Sequence, residues 1–273
     1  MAGDPDEKRM PLFDHLVELR RRLIWCVIAF LACFFVSYFF AEHIFAFLVR
    51  PLAHAMADRP DAKMIYTGLH EAFLTYIKIA FFTAAFISFP VFATQIWTFV
   101  APGLYKNEQR AFLPFLVATP VLFLMGGALV YFFIFPLAWE FLLQFQTPGA
   151  GEGTLPILVE PKVDQYLSLS MRLIFAFGLA FELPVLLTLL VRVGIIGSAD
   201  LVAKRRYAIV AAFVIAAVLT PPDVISQIGL AVPLIGLYEI SILAAKLIEK
   251  GRARRAAAAD AEGEAGTGSP EKA

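Results

Sequence analysis

From Leu173 to Val191 the chain runs for 19 residues of apolar side chains plus Gly178 and Thr188, interrupted by one carboxylate, Glu182, with Pro184 two positions on. A stretch of that length and composition can cross the hydrocarbon core of a bilayer as a helix. Similar runs recur along the sequence with charged residues confined to the short intervals between them, and 60% of the 273 residues are hydrophobic, 27 of them Phe, against 17% charged. The chain therefore reads as an all-α integral membrane protein. The spans must be helical, because open backbone cannot cross lipid and the runs far exceed the length of a barrel strand.

Six spans are expected, at roughly 23–42, 70–98, 112–138, 166–193, 207–220 and 224–245. They divide the chain into a cytoplasmic N-terminal segment (1–22), a six-helix transmembrane domain (23–245) and a polar, small-residue tail (246–273) expected to be disordered. Seventeen Lys and Arg fall on the side that carries both termini, and four, Arg50, Arg59, Lys63 and Lys162, fall on the other; Lys78 and Arg172 lie inside spans. The positive-inside rule then places both termini in the cytoplasm, and an even number of spans agrees. The external intervals 43–69 and 139–165 are long enough to form ordered loops or short helices. The third external connection is the tight turn Thr220, Pro221, Pro222, Asp223, where two prolines stop one helix and an acid near the N-cap starts the next. Span five would reach only about 20 Å against a hydrocarbon core of about 30 Å, which implies a thinned membrane or a sunken helix. Pro90, Pro114, Pro120, Pro136, Pro184 and Pro233 lie in or beside spans and predict kinked helices and a concave bundle.

Several function classes find no support. Formal net charge is zero, so nothing points to nucleic acid. Cys26 and Cys33, seven apart on one helix face, read as packing residues. The first apolar run is long enough to span and offers no small-x-small cleavage site, so the N-terminus is expected to be retained. No zincin helix, phosphate loop or nucleophile elbow occurs, no metal or cofactor is implied, and His15, His43, His54 and His70 read as solvated interfacial residues. The chain does not read as an enzyme.

Three carboxylates remain. A charge in mid-membrane costs several kcal/mol unless compensated, so Glu182 is a functional candidate by default. On the cytoplasmic face, Glu18 lies in the run His15, Leu16, Val17, Glu18, Leu19, Arg20, Arg21, Arg22 ahead of span one and shares a helix face with Arg21 and Arg22. By itself it could be no more than half of a surface ion pair. Glu108 follows the reversal at Pro102 and Gly103 between spans two and three, on the same side. Two acids on one face suit a cationic ligand, and a guanidinium in particular, whose planar fork can bind a carboxylate through two hydrogen bonds.

Four motifs in order, His15-Leu16-Glu18-Leu19-Arg20, Pro102-Leu104-Tyr105-Glu108, Phe181-Glu182-Pro184 and Thr220-Pro221-Pro222-Asp223, make residues 12–246 resemble the TatC family, the polytopic subunit of the twin-arginine protein translocase. The resemblance implies six kinked helices in a concave, glove-shaped bundle with both termini inside and spans five and six short, in the bacterial inner membrane. It implies a receptor for the twin-arginine signal peptides of folded precursors, working with TatA- and TatB-type single-span partners and other copies of itself in export driven by the proton-motive force. Glu18 and Glu108 would engage the arginines, with Arg20, Phe99, Tyr105 and Lys106 nearby. Glu182, Gln227 and Thr220 would form an intramembrane polar pocket where partners dock. Pro51, Pro184, Pro221, Pro222 and Asp223 would be structural. The competing reading is an ion-coupled small-molecule transporter that cycles protons through Glu182; it expects a repeated half, and the first half has no counterpart to Phe181-Glu182-Pro184. A scaffold without substrate would leave Glu18 and Glu108 replaceable.

Overall fold

A computed structural model describes residues 12–57, 63–100, 113–146, 159–219 and 224–267. The described residues are almost wholly helical and fall into two compact units, Met1–Gly178 and Leu179–Ala273.

The first unit contains α1 (Leu12–Phe39), α2 (Ala41–Ala55), α3 (Glu71–Val100), α4 (Leu113–Leu129), a π-helical turn (Val130–Ile134), α5 (Phe135–Leu143) and nearly all of α6 (Val163–Ala180). Along α1, Glu18, Arg22, Cys26, Cys33 and Ser37 recur at helical spacing on the buried or half-buried side, while Leu23, Phe35 and Phe39 stay exposed, Phe39 by 82%. A helix that exposes such side chains needs hydrocarbon around it. The inward side packs on α3, whose Ile79, Ala80 and Ala84 have no exposed surface. Cys26 is buried and Cys33 half-buried, and both are free thiols.

Small residues set the distance between α4 and α6. A Cβ on Gly126 would stand 2.5 Å from the Phe177 carbonyl oxygen, and one on Gly178 would stand 2.6 Å from the Phe123 ring. Phe123 fills the space beside that crossing, stacked on Phe89 at 3.7 Å. Between α4 and α5 the helix widens by one turn, where the Phe135 N–H reaches Val130 O, directly ahead of Pro136, which has no N–H to continue the ladder. A second proline has its loss made good from outside the helix. Pro51 in α2 cannot donate to the carbonyl four residues back, and that carbonyl, Phe47 O, accepts the Tyr131 hydroxyl at 2.8 Å. The Tyr166 hydroxyl donates to the next carbonyl, Leu48 O, at 2.8 Å. Among the described residues a β-bridge, Ile65 with Lys162, ties the interval after α2 to the one before α6.

The second unit contains α7 (Leu183–Val193), α8 (Ser198–Ala203), α9 (Arg205–Leu219) and α10 (Val224–Thr267). α7 ends at Gly194 with φ +83°, a left-handed cap that only glycine takes without strain, and Ile195 N–H closes back on Leu190 O at 3.0 Å. Val191, Leu201, Ile242 and Ala245 form a buried cluster there. Polar contacts lock its rim: the Tyr238 hydroxyl donates to Leu201 O at 2.8 Å, Ser198 N–H donates to Glu249 at 2.7 Å, and Arg205 binds Glu239 through Nε at 2.6 Å and Nη2 at 2.8 Å.

Among the described residues, five helical stretches are long and apolar enough to cross a membrane: His15–Phe39, Glu71–Phe99, Phe115–Leu143, Val163–Val193 and Gln227–Arg254. They match spans one to four and six. Span five corresponds to α9, whose 15 residues fall short of that length, as the sequence implied. Span six is not short. It continues as the 44-residue α10 to Thr267, which also corrects the expected disorder of the tail up to that residue. The physical reason is local: Ala, Arg, Lys and Glu are strong helix formers, and extending an existing helix avoids the nucleation cost. Low hydrophobicity removes the pressure to pack, but it does not remove helix propensity.

Candidate functional site

The first turns of α1 and the last turn of α3 meet at one end of the first unit. His15 stacks on Phe99 with ring centroids 4.3 Å apart. One turn further along α1, Glu18 accepts from Arg22 Nε at 3.0 Å and from its Nη2, both on Oε1. Both side chains are four-fifths buried, 18% exposed for Arg22 and 21% for Glu18. The other oxygen, Glu18 Oε2, is buried and has no hydrogen-bond partner among the described residues. Arg22 therefore orients the carboxylate and leaves one acceptor open. Such an acceptor, partly withdrawn from water, is suited to a cationic donor, since charge-assisted hydrogen bonds strengthen as competing water is removed. Arg20 is on α1 too, exposed, half a turn from Glu18 and so on another side of the helix.

Of the expected recognition residues, Glu18, Arg20 and Phe99 are thus placed, with Glu18 and Phe99 both at the His15 end. Tyr105, Lys106 and Glu108 lie outside the described residues. His15 departs from its expected role as a solvated imidazole: its ring stays exposed yet is held on one face by Phe99.

Glu182 belongs to the second unit. The helix breaks at Phe181 and Glu182, between α6 and α7, because Pro184 cannot supply a ladder donor but fits the first turn of a new helix. Glu182 is consequently the N-cap residue of α7, half-buried, with its N–H on Leu179 O at 3.0 Å and its carbonyl accepting Leu186 N–H at 2.9 Å. That location puts a carboxylate at the positive end of the α7 dipole, the favourable end for an anion. Gln227, in the first turn of α10, donates to Phe213 O of α9 at 3.4 Å. Thr220, Pro221, Pro222 and Asp223 lie outside the described residues. No group of three or more His, Cys, Asp or Glu able to hold a metal occurs among the described residues.

Two ion pairs and one hydrogen bond between residues far apart in the chain had no sequence signature: Lys78 binds Asp164, Arg205 binds Glu239, and the Ser198 hydroxyl donates to Glu249. Lys78 inside span two was the one available hint, because an intramembrane cation demands a partner.

The model of the family described as Sec-independent protein translocase protein (TatC) matches residues 14–233. A protein of Magnetococcus marinus with the name Sec-independent protein translocase protein TatC is 51% identical over 256 residues, covering 94% of this chain and 91% of its own. Its namesake in Escherichia coli K12 is 41% identical over 249 residues, covering 91% and 93%. Two crystal structures of a twin arginine translocase receptor TatC, one of them in DDM, are 39% identical to the chain. They superpose with TM-scores of 0.70 and 0.73, covering 86% and 85% of this chain and 99% of theirs.

Proposed function

Since the chain belongs to the TatC family of Sec-independent protein translocase proteins and is a multi-pass membrane protein of that family, we propose that it is the receptor subunit that binds twin-arginine signal peptides on its cytoplasmic face. The observation that carries the proposal is the Glu18 carboxylate, fixed by Arg22 through Oε1 with Oε2 buried and open among the described residues. One guanidinium of the peptide takes that acceptor, and Glu108 takes the other. The His15–Phe99 stack holds the start of α1 against the end of α3, so the acid is presented from a fixed position. Glu182, at the break between α6 and α7, serves TatA- or TatB-type single-span partners as a polar handle, and Gln227 and Thr220 are the other polar groups assigned to that docking role. Export of the folded cargo is driven by the proton-motive force. Both termini face the cytoplasm of a bacterium, and the membrane is its inner membrane.

The test is site-specific crosslinking of a twin-arginine signal peptide in membranes. Glu18→Ala and Glu108→Ala each abolish the crosslink while the protein stays inserted; crosslinking at the wild-type level in both variants overturns the assignment. Glu182→Ala keeps the peptide crosslink and weakens copurification of the TatB-type partner in mild detergent. Undiminished copurification removes Glu182 from partner docking.

A further inference from the structure

Two charges of opposite sign in the first unit have nothing to bind. Glu140 lies in the span Phe115–Leu143 and Arg172 in the span Val163–Val193. Both are exposed, and neither makes an ion pair or a side-chain hydrogen bond among the described residues. The carboxylates near the start of α6 are engaged, Asp164 by Lys78 and Glu160 by Lys63 at 3.2 Å. An unpaired charge within a span is costly, so each of the two calls for a counter-ion from outside the chain.

The faces that carry them are left uncovered. Phe133 and Leu137, 69% and 52% exposed, share the outer face of the α5 segment with Glu140 and Gln144, away from the buried Phe135, Ala138, Trp139 and Leu143. On α6, Gln165 and Arg172 stand on one exposed line, flanked by the buried Tyr166, Met171 and Leu173. The α6 helix runs antiparallel to the rod made by α4 and α5, with Gly126 against Phe177 at one level and Trp139 against Tyr166 at another. In that register the Glu140 backbone is level with the first turn of α6, and Arg172 lies about 12 Å further along. Helical side chains lean toward the N-terminus of their own helix, so in this antiparallel pair Glu140 and Arg172 lean toward one common level. The long arginine stem covers most of the interval.

We propose that a second copy of this chain docks on these faces, with Glu140 of one copy binding Arg172 of its neighbour. Copies inserted the same way hold both groups at the same membrane depth, so a level shared within the chain is shared between chains. A lipid phosphate, or a foreign helix with one acid, would neutralise Arg172 and leave Glu140 bare. A second copy supplies both counter-ions, and a repeated contact of this kind leaves neither sign unmatched. The planar guanidinium can hold the carboxylate through two hydrogen bonds, and Leu137 and Phe133 add apolar surface beside the pair.

The contact needs neither a peptide nor a single-span partner, so the full chain alone in phosphatidylcholine vesicles can be tested. Energy transfer between donor-labelled and acceptor-labelled copies reports association as the protein is diluted with lipid. Glu140→Arg, or Arg172→Glu, placed in both labelled copies brings like charges together and raises the protein-to-lipid ratio at half-maximal transfer about tenfold, the scale of one polar contact between membrane helices. Donor-labelled Glu140→Arg mixed with acceptor-labelled Arg172→Glu restores transfer, because every contact between them joins opposite charges. A pair formed within one chain could not be restored this way, since each variant then holds two like charges. A gentler pair of variants gives a second reading. In a Cys26→Ser, Cys33→Ser background, a tagged Glu140→Cys copy and a differently tagged Arg172→Cys copy are joined by a short bismaleimide more readily than two Glu140→Cys copies. Association that both single reversals leave undiminished, as expected if lipid phosphate meets Arg172, overturns the proposal. A mixed bismaleimide product no more abundant than the same-position product overturns it too.

Discussion

Glu18 meets two demands through its two oxygens, and separating them gives the sharpest test at the scale of single residues. Arg22 occupies Oε1, four residues on along the same helix face. Such i,i+4 pairs stabilise a helix by only about 0.2–0.5 kcal/mol, so Arg22→Gln should leave the unfolding midpoint nearly unchanged. Its effect is on orientation: the carboxylate regains rotamer freedom, and binding of a labelled twin-arginine peptide, followed by fluorescence anisotropy, falls severalfold without being abolished. Unchanged affinity would mean that Arg22 has no part in positioning Glu18. The ion pair was readable from the spacing of Glu18 and Arg22, because a helix places residues four apart side by side. The His15–Phe99 stack was not, since no periodicity links residues in two helices. Nor did composition reveal that Glu182 would fall at the N-cap of a new helix; Pro184 held that information, but a kinked continuous helix would have satisfied the same sequence.

A buried backbone carbonyl that loses its ladder donor needs another partner, and α2 shows how one such deficit is repaired. Pro51 removes the donor for Phe47 O, and Tyr131 replaces it. Tyr131→Phe should therefore destabilise the chain by about 1–3 kcal/mol, the usual cost of a buried acceptor left without its partner. In a Pro51→Ala background the restored backbone N–H can serve the same carbonyl, and the loss on Tyr131→Phe should shrink below about 1 kcal/mol. Denaturation in detergent of all four proteins gives the coupling directly, and strict additivity would show that the hydroxyl acts elsewhere. At the α4–α6 crossing the expectation is simpler. Gly126→Ala drives a methyl onto a backbone carbonyl that cannot step aside, so the loss should be about 1–3 kcal/mol or more, measured by the same assay. The sequence indicated these helices by their apolar runs and proline positions. It did not indicate the π-helical turn before Pro136 or the length of α10, because a hydropathy reading ends a span where polarity rises, whereas a helix ends only where its backbone finds a better alternative.

Whether the molecule has five crossings or six decides where its last helix ends, and α9 is the arbiter. Its 15 residues extend about 22 Å, below the ~30 Å of an unperturbed hydrocarbon core. If α9 failed to cross, five crossings would put the two termini on opposite sides and carry Lys246, Lys250, Arg252, Arg254 and Arg255 to the side away from the basic N-terminal segment. The positive-inside rule weighs heavily against that arrangement, and thinning the bilayer by several ångströms costs only fractions of a kcal/mol per ångström. A crossing α9 is therefore the cheaper solution, with both termini inside. Single cysteines can decide it in a background carrying Cys26→Ser and Cys33→Ser. Val159→Cys and Val224→Cys, both at exposed positions, should react with a membrane-impermeant maleimide in intact spheroplasts, whereas Arg206→Cys and Lys250→Cys should react only after the membrane is permeabilised. Arg206 lies in the first turn of α9 and Val224 just past its end, so labelling of both from the same side would show that α9 does not cross, and would move the C-terminal half of α10 out of the cytoplasm.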